Sequence, residues 1–196
     1  MNSLFNFIIK PFEERTNNKL KINESELILN TEMQNHQYVS RHGIVISTPL
    51  VGCTEVSIGD EIIVHHNVFR RFYDIRGKEK NSKSYFKEDL FFVQQDQVYA
   101  YKSNDEWKAI KGFCFIKPLK ENNSFSLEKE IVGKGVVKYS DGYVDENALV
   151  SFKPGFEYEF FIENERLYRV PNKFITIKYE HQGDEKEYNP SWSQSS

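Results

Sequence analysis

The sequence holds two cysteines in 196 residues, Cys53 and Cys114. They stand far apart and form no C-x-x-C motif, so free thiols in a reducing compartment are expected rather than a disulfide. No apolar run approaches the ~20 residues that a membrane-spanning helix needs. The opening Met1-Asn2-Ser3-Leu4-Phe5 lacks the basic and long apolar regions of a signal peptide, which predicts a cytoplasmic location. Basic residues are not in excess: 26 Lys+Arg against 29 Asp+Glu leave a net charge of -3, which argues against a general nucleic-acid binder. G-x-S-x-G, H-E-x-x-H and P-loop motifs are all missing, and no cysteine has a suggestive histidine partner. The acidic residues are scattered through loops. No catalytic residue, cofactor or metal is therefore expected. The pair His65-His66 fits this reading, because neighbours on a strand point to opposite faces and cannot easily share an ion.

What is present is Ile, Val, Phe and Tyr, which favour strands over helices. The chain also repeats an ordered series. Early it reads Ile9-Lys10-Pro11, Gly43-Ile44-Val45, Val56-Ser57-Ile58-Gly59-Asp60 into Ile62-Ile63-Val64, then Leu90-Phe91-Phe92-Val93. Later it reads Ile116-Lys117-Pro118, Gly135-Val136-Val137, Val144-Asp145-Glu146-Asn147-Ala148 into Leu149-Val150-Ser151-Phe152, then Leu167-Tyr168-Arg169-Val170. The spacings differ mainly in the loops, so a diverged internal duplication of one small β-unit is expected. Gly59 supplies a positive φ in the first turn, and Asn147 replaces it in the second as the next most tolerant residue.

Short strands with turns every 8–12 residues predict an all-β barrel or sandwich. The first unit is expected over 1–110, the second over 111–181, with a polar tail over 182–196. Residues 13–35 read as a long loop with one apolar island, Leu27-Ile28-Leu29; loops of that length are usually functional or disordered. Arg76–Ser82 reads as a solvated loop. Trp107–Ile110 either pairs as a short strand or packs across the junction.

Taken together, these residues resemble GroES-type co-chaperonins. The resemblance runs through Ile9-Lys10-Pro11, Leu27-Ile28-Leu29, Gly43-Ile44-Val45, the Val56–Ile62 turn with Gly59 and Asp60, and Asp96-Gln97-Val98-Tyr99-Ala100. The second unit matches through Lys117-Pro118, Gly135-Val136-Val137, Val144–Phe152 and Lys173-Phe174-Ile175. The resemblance implies two tandem small GroES-like β-barrels, a homo-oligomeric ring, and a mobile loop whose Leu27, Ile28 and Leu29 dock on a GroEL-type chaperonin ring. Read without the resemblance, the same tripeptide is a core strand or an oligomer seam. The Lys, Asn, Ile and Phe bias suits an A/T-rich genome such as a bacteriophage's, so a virion or assembly component that reuses the barrel is the alternative role. The sequence departs from the family pattern in four places: Glu24-Ser25-Glu26 stands where the family has glycines, no room is left for a roofing hairpin between Ser47 and Val56, 65–74 is an insertion, and the second unit has no long loop. Within the insertion, Phe69-Arg70-Arg71-Phe72-Tyr73 mixes aromatic and basic residues, which are enriched at subunit interfaces. The same mixture suits single-stranded nucleic acid, and the overall acidity counts against that use.

Overall fold

The computed structural model describes residues 3–13, 15, 19–22, 25–28, 40–52, 55–121, 129–180 and 186–187. No α-helix occurs among them, so the chain is all-β there. It divides into two compact units, 1–107 and 108–196.

The first unit contains β1 (Phe7–Pro11), β2 (Lys19–Ile22), β3 (Ser25–Ile28), β4 (His42–Ser47), β5 (Glu61–Val64), β6 (Arg71–Tyr73), β7 (Glu79–Asn81), β8 (Tyr85–Lys87), β9 (Leu90–Val93), β10 (Val98–Ser103) and β11 (Glu106–Ala109), which starts in this unit. Its main sheet runs β11-β10-β5-β4-β1-β9-β8. The second unit contains β12 (Phe113–Lys120), β13 (Glu130–Tyr139), β14 (Leu149–Phe152), β15 (Tyr158–Ile162), β16 (Glu165–Pro171), β17 (Ile175–Lys178) and β18 (Lys186–Glu187). Its sheet runs β15-β16-β12-β13-β14-β17, with β18 added on β12. The two orders are one order: β8, β9, β1, β4, β5 and β10 correspond to β15, β16, β12, β13, β14 and β17. Only β11 has no counterpart. A closed barrel is not what the pairing gives, because in neither sheet do the two end strands pair with each other among the described residues.

The registers also coincide. Ile9, Lys10 and Pro11 stand opposite Val45, Ile44 and Gly43, and Ile116, Lys117 and Pro118 stand opposite Val137, Val136 and Gly135. A bulge precedes the isoleucine in both copies. Phe7↔Val93 and Ile9↔Phe91 in one unit match Cys114↔Val170 and Ile116↔Tyr168 in the other. The turn before β5 has Gly59 at φ +95° donating to the Val45 carbonyl at 2.9 Å, and Asn147 at φ +63° donates to the Val137 carbonyl at 2.7 Å. Asp60 closes the first turn further, its carboxylate accepting from the Ser57 N–H at 2.8 Å. A 3-10 turn leads into the last shared strand each time, at Gln95–Gln97 and Asn172–Phe174.

The cores are built from continuous apolar runs, with Ile8, Ile63 and Phe115 buried along with the residues on either side of them. Phe7, Ile9, Val45, Val56, Ile62, Val64, Phe91 and Val93 are buried in the first unit. Cys114, Ile116, Val137, Val144, Val150, Phe152 and Val170 form one buried cluster in the second. Gly43 and Gly135 are required by close approach. A Cβ on Gly43 would lie 2.9 Å from Ile9 Cδ1 and 3.1 Å from the Lys10 carbonyl oxygen; on Gly135 it would lie 2.4 Å from the Lys117 carbonyl oxygen.

Several local expectations change. The 13–35 loop contains a hairpin, β2–β3. The solvated loop 76–82 is half of another hairpin, β6–β7. Of the two readings of Trp107–Ile110, the short strand holds: Trp107 belongs to β11, which pairs with β10. His65 and His66 do not lie on a strand with opposed side chains; they follow β5 in a turn and their rings stack 4.2 Å apart.

The glycines make a graded prediction. Gly135→Ala pushes a methyl into backbone, whereas Gly43→Ala first meets the end of a movable side chain. Thermal unfolding should show Gly135→Ala as the more damaging, by about 1–3 kcal/mol as for overpacked cores. Asn147→Gly should leave stability within about 1 kcal/mol, because glycine accepts positive φ without strain.

Candidate interaction surfaces

The tether expected to carry Leu27, Ile28 and Leu29 begins at Arg15. The Ser40 N–H donates to the Arg15 carbonyl at 3.1 Å, so the chain leaves and re-enters the scaffold at one point. The Arg15 guanidinium fixes that point. Nη2 donates to the Phe69 carbonyl at 3.0 Å, Nη1 donates to Asn81 Oδ1 at 2.9 Å, and the group lies 4.9 Å above the Phe91 ring. Between these ends, β2 and β3 pair with each other and with no strand of the main sheet. Leu27 is opposite Leu20, and Ile28 is opposite Lys19. Leu29 lies outside the described residues.

The expected interface segment splits. Phe69 is fully buried and packs edge-on against Phe91 with ring centroids 5.0 Å apart, so it is a core residue and not a surface one. Its position in the insertion placed it with its neighbours; burial of the turn after β5 moves it to the core. Arg70 lies 5.2 Å above the Phe72 ring. Arg71 pairs with Glu79 at 3.4 Å across the β6–β7 hairpin. Phe72 and Tyr73 are 42% and 37% exposed.

The two units differ most beside the β9 and β16 strands. In the first, Phe91 meets Phe69 and Tyr85. In the second, Tyr168 holds the matching place and a polar cluster forms around it. Arg166 is buried; it donates to Glu130 at 2.5 Å, Glu159 at 3.1 Å and the Tyr168 hydroxyl at 2.5 Å. The Tyr168 hydroxyl donates to Glu130 at 2.7 Å. Desolvation works against the Arg166 charge, but the two carboxylates outweigh it and hold the guanidinium above its ordinary value. Burial and then Glu130 push the Tyr168 phenol upward. One guanidinium bridges two carboxylates and a phenol here, which describes a structural network. Cys114 is equally quiet: burial, then Asp141, raises its thiol to about 12, so it carries no thiolate at neutral pH. Cys53 lies outside the described residues. Among the described residues no three His, Cys, Asp or Glu side chains are grouped as metal ligands.

Asp141 ties three parts of the second unit together. Its carboxylate accepts from the Gly112 N–H at 2.6 Å, the Tyr143 N–H at 3.0 Å and the Asn172 amide at 2.9 Å. Burial alone would raise its pKa, but these donors outweigh burial and hold it below the ordinary 3.8. A lowered carboxylate stabilises the folded state above its unfolded pKa and ceases to do so as pH falls through its folded value. Acid titration of the fold should therefore show a loss below that ordinary value, and Asp141→Asn should remove part of the slope. Arg15→Ala should cost about 1–3 kcal/mol in chemical denaturation, the range for leaving a buried acceptor, here the Phe69 carbonyl, unsatisfied.

No family model, no curated protein and no solved structure matches this chain.

Proposed function

We propose that this chain is a co-chaperonin-like protein, not an enzyme, that caps a GroEL-type chaperonin ring with a tether on a duplicated GroES-like scaffold. One observation carries the reading. The Ser40 N–H donates to the Arg15 carbonyl, and β2 and β3, which lie between them in the chain, pair with each other and add no strand to the main sheet. Such a segment is free to serve a partner without taking apart the core. Three aliphatic side chains, Leu27, Ile28 and Leu29, contribute roughly 1.5–3 kcal/mol each when buried in an apolar groove, before ordering entropy is subtracted. Each copy thus binds weakly, and several copies on one ring restore useful affinity. The chaperonin hydrolyses ATP and this chain does not.

The second unit carries no matching excursion of that length: Glu121 N–H already donates to the Lys129 carbonyl at 2.8 Å, closing the link between β12 and β13. Each chain therefore offers one tether for two β-units. The work is done in the cytoplasm where the chaperonin is.

Deleting residues 24–30 should abolish binding to a purified chaperonin with ATP, while far-UV circular dichroism keeps its β signature. Unchanged binding by the deletion variant would refute the docking role and favour a structural role in a virion.

A further inference from the structure

The β6–β7 hairpin is an arm. Its root is buried: Val68 and Phe69 are fully enclosed, Ser82 is nearly so, and the Ser82 hydroxyl donates to the Val68 carbonyl at 2.5 Å. Beyond the root, every residue from Phe72 to Asn81 except Asp74 is exposed. Arg71 is opposite Asn81, Phe72 opposite Lys80, and Tyr73 opposite Glu79, so aromatic rings lie on both faces of the ribbon. The tip is held in one shape. Asp74 Oδ1 accepts from the Arg76 N–H at 2.9 Å and the Lys78 N–H at 3.0 Å, and the Gly77 N–H donates to the Asp74 carbonyl at 2.9 Å. This turn leaves Ile75 wholly in solvent.

Charge separates the arm from the rest of the molecule. Residues 70–81 hold five of the 26 basic residues and two of the 29 acidic ones, a net of +3 in a chain of net -3. The remainder is therefore at -6. A two-stranded ribbon without a second layer is marginal by itself in water. A fixed, fully exposed isoleucine with exposed aromatics around it is the composition of an interface core.

We propose that the arm docks on the acidic body of a second copy of this chain, with Ile75 as its apolar anchor and Arg76, Lys78 and Lys80 meeting carboxylates. The body that attracts this arm repels a polyanion, which favours a second copy over nucleic acid. Arm onto body is a heterologous contact, so successive copies build a ring if the rotation closes and a filament if it does not. The assignment is independent of what the tether grips, and it supplies the repeated copies that a weak tether requires.

Sedimentation of the full chain tests it, using wild type, Ile75→Asp and the pair Arg76→Glu with Lys78→Glu. All three substituted positions are solvent-exposed, and circular dichroism checks that each variant folds. Wild type should self-associate, and association should weaken about tenfold or more between ~0.1 M and ~1 M salt as charges are screened. Both variants should show a similar loss at low salt. A wild-type chain that stays monomeric, or variants that associate like wild type, would overturn the proposal. So would binding of a thymidine oligonucleotide that the variants lose while their mass distribution stays that of wild type. A monomeric variant that still binds the chaperonin weakly would leave the tether reading standing, so the two failures are distinguishable.

Discussion

Each unit depends on one crossing of two strands, where a proline on the first faces a glycine on the second. Pro11 faces Gly43 and Pro118 faces Gly135. A proline removes a backbone donor, so this pair cannot make the full ladder. The absent side chain on the glycine lets the strands close up instead, until the carbonyl of the preceding lysine occupies the space a Cβ would take. The bulge just before the isoleucine follows from the same crossing, because the first strand must bend to reach the close approach. Once that pair is set, the first strand runs through the interior, with Phe7, Ile8 and Ile9, or Cys114, Phe115 and Ile116, all buried. The turn before β5 or β14 is then bonded to the residue two places beyond the glycine.

Divergence begins where this constraint ends. Phe91 and Tyr168 hold one place in the two sheets, and in both a guanidinium lies over the ring. In the first unit the cation is Arg15, which comes from the tether base; in the second it is Arg166, from the same strand as the tyrosine. The first unit thereby links three features through one side chain: the base of the tether, the root of the arm at Phe69 and Asn81, and the aromatic core at Phe91. The second unit satisfies its arginine internally with Glu130 and Glu159. Two copies of one scaffold have thus diverged, one carrying the β2–β3 and β6–β7 hairpins, the other closing its own polar contacts.

The duplication was legible because it rests on local chemistry. Gly43, Gly135, Gly59 and Asn147 mark backbone conformations or clearances that few other residues allow, and runs of Ile, Val and Phe mark the buried strands. Residues 13–35 were legible as a polar segment with an apolar island, but the β2–β3 hairpin inside it was not. Lys19–Ile22 and Ser25–Ile28 have no long alternation, and they pair with each other rather than with the main sheet. The arm was missed for a related reason. Both of its faces are wet, so β6 and β7 carry no period-two signal and Arg76–Ser82 resembles an ordinary solvated loop. Phe69 was misplaced because an aromatic beside two arginines looks like surface until the turn after β5 is known. Arg15 was invisible, since its partners lie 54 and 66 residues away. The adjacent histidines stack because a turn, not a strand, carries them.

Amide hydrogen exchange on the full chain, alone and then with a chaperonin ring and ATP, tests the central claim most directly. Protection free energies differ between a core strand and a lone two-stranded ribbon, so the scaffold and the tether should separate cleanly. The Val45 and Val137 amides, which donate to the Asp60 and Ala148 carbonyls, should exchange slowly in both samples. Amides 25–28 should exchange fast alone and become protected only with the ring. Amides 25–28 that are unchanged by the ring, or slow without it, would contradict the account.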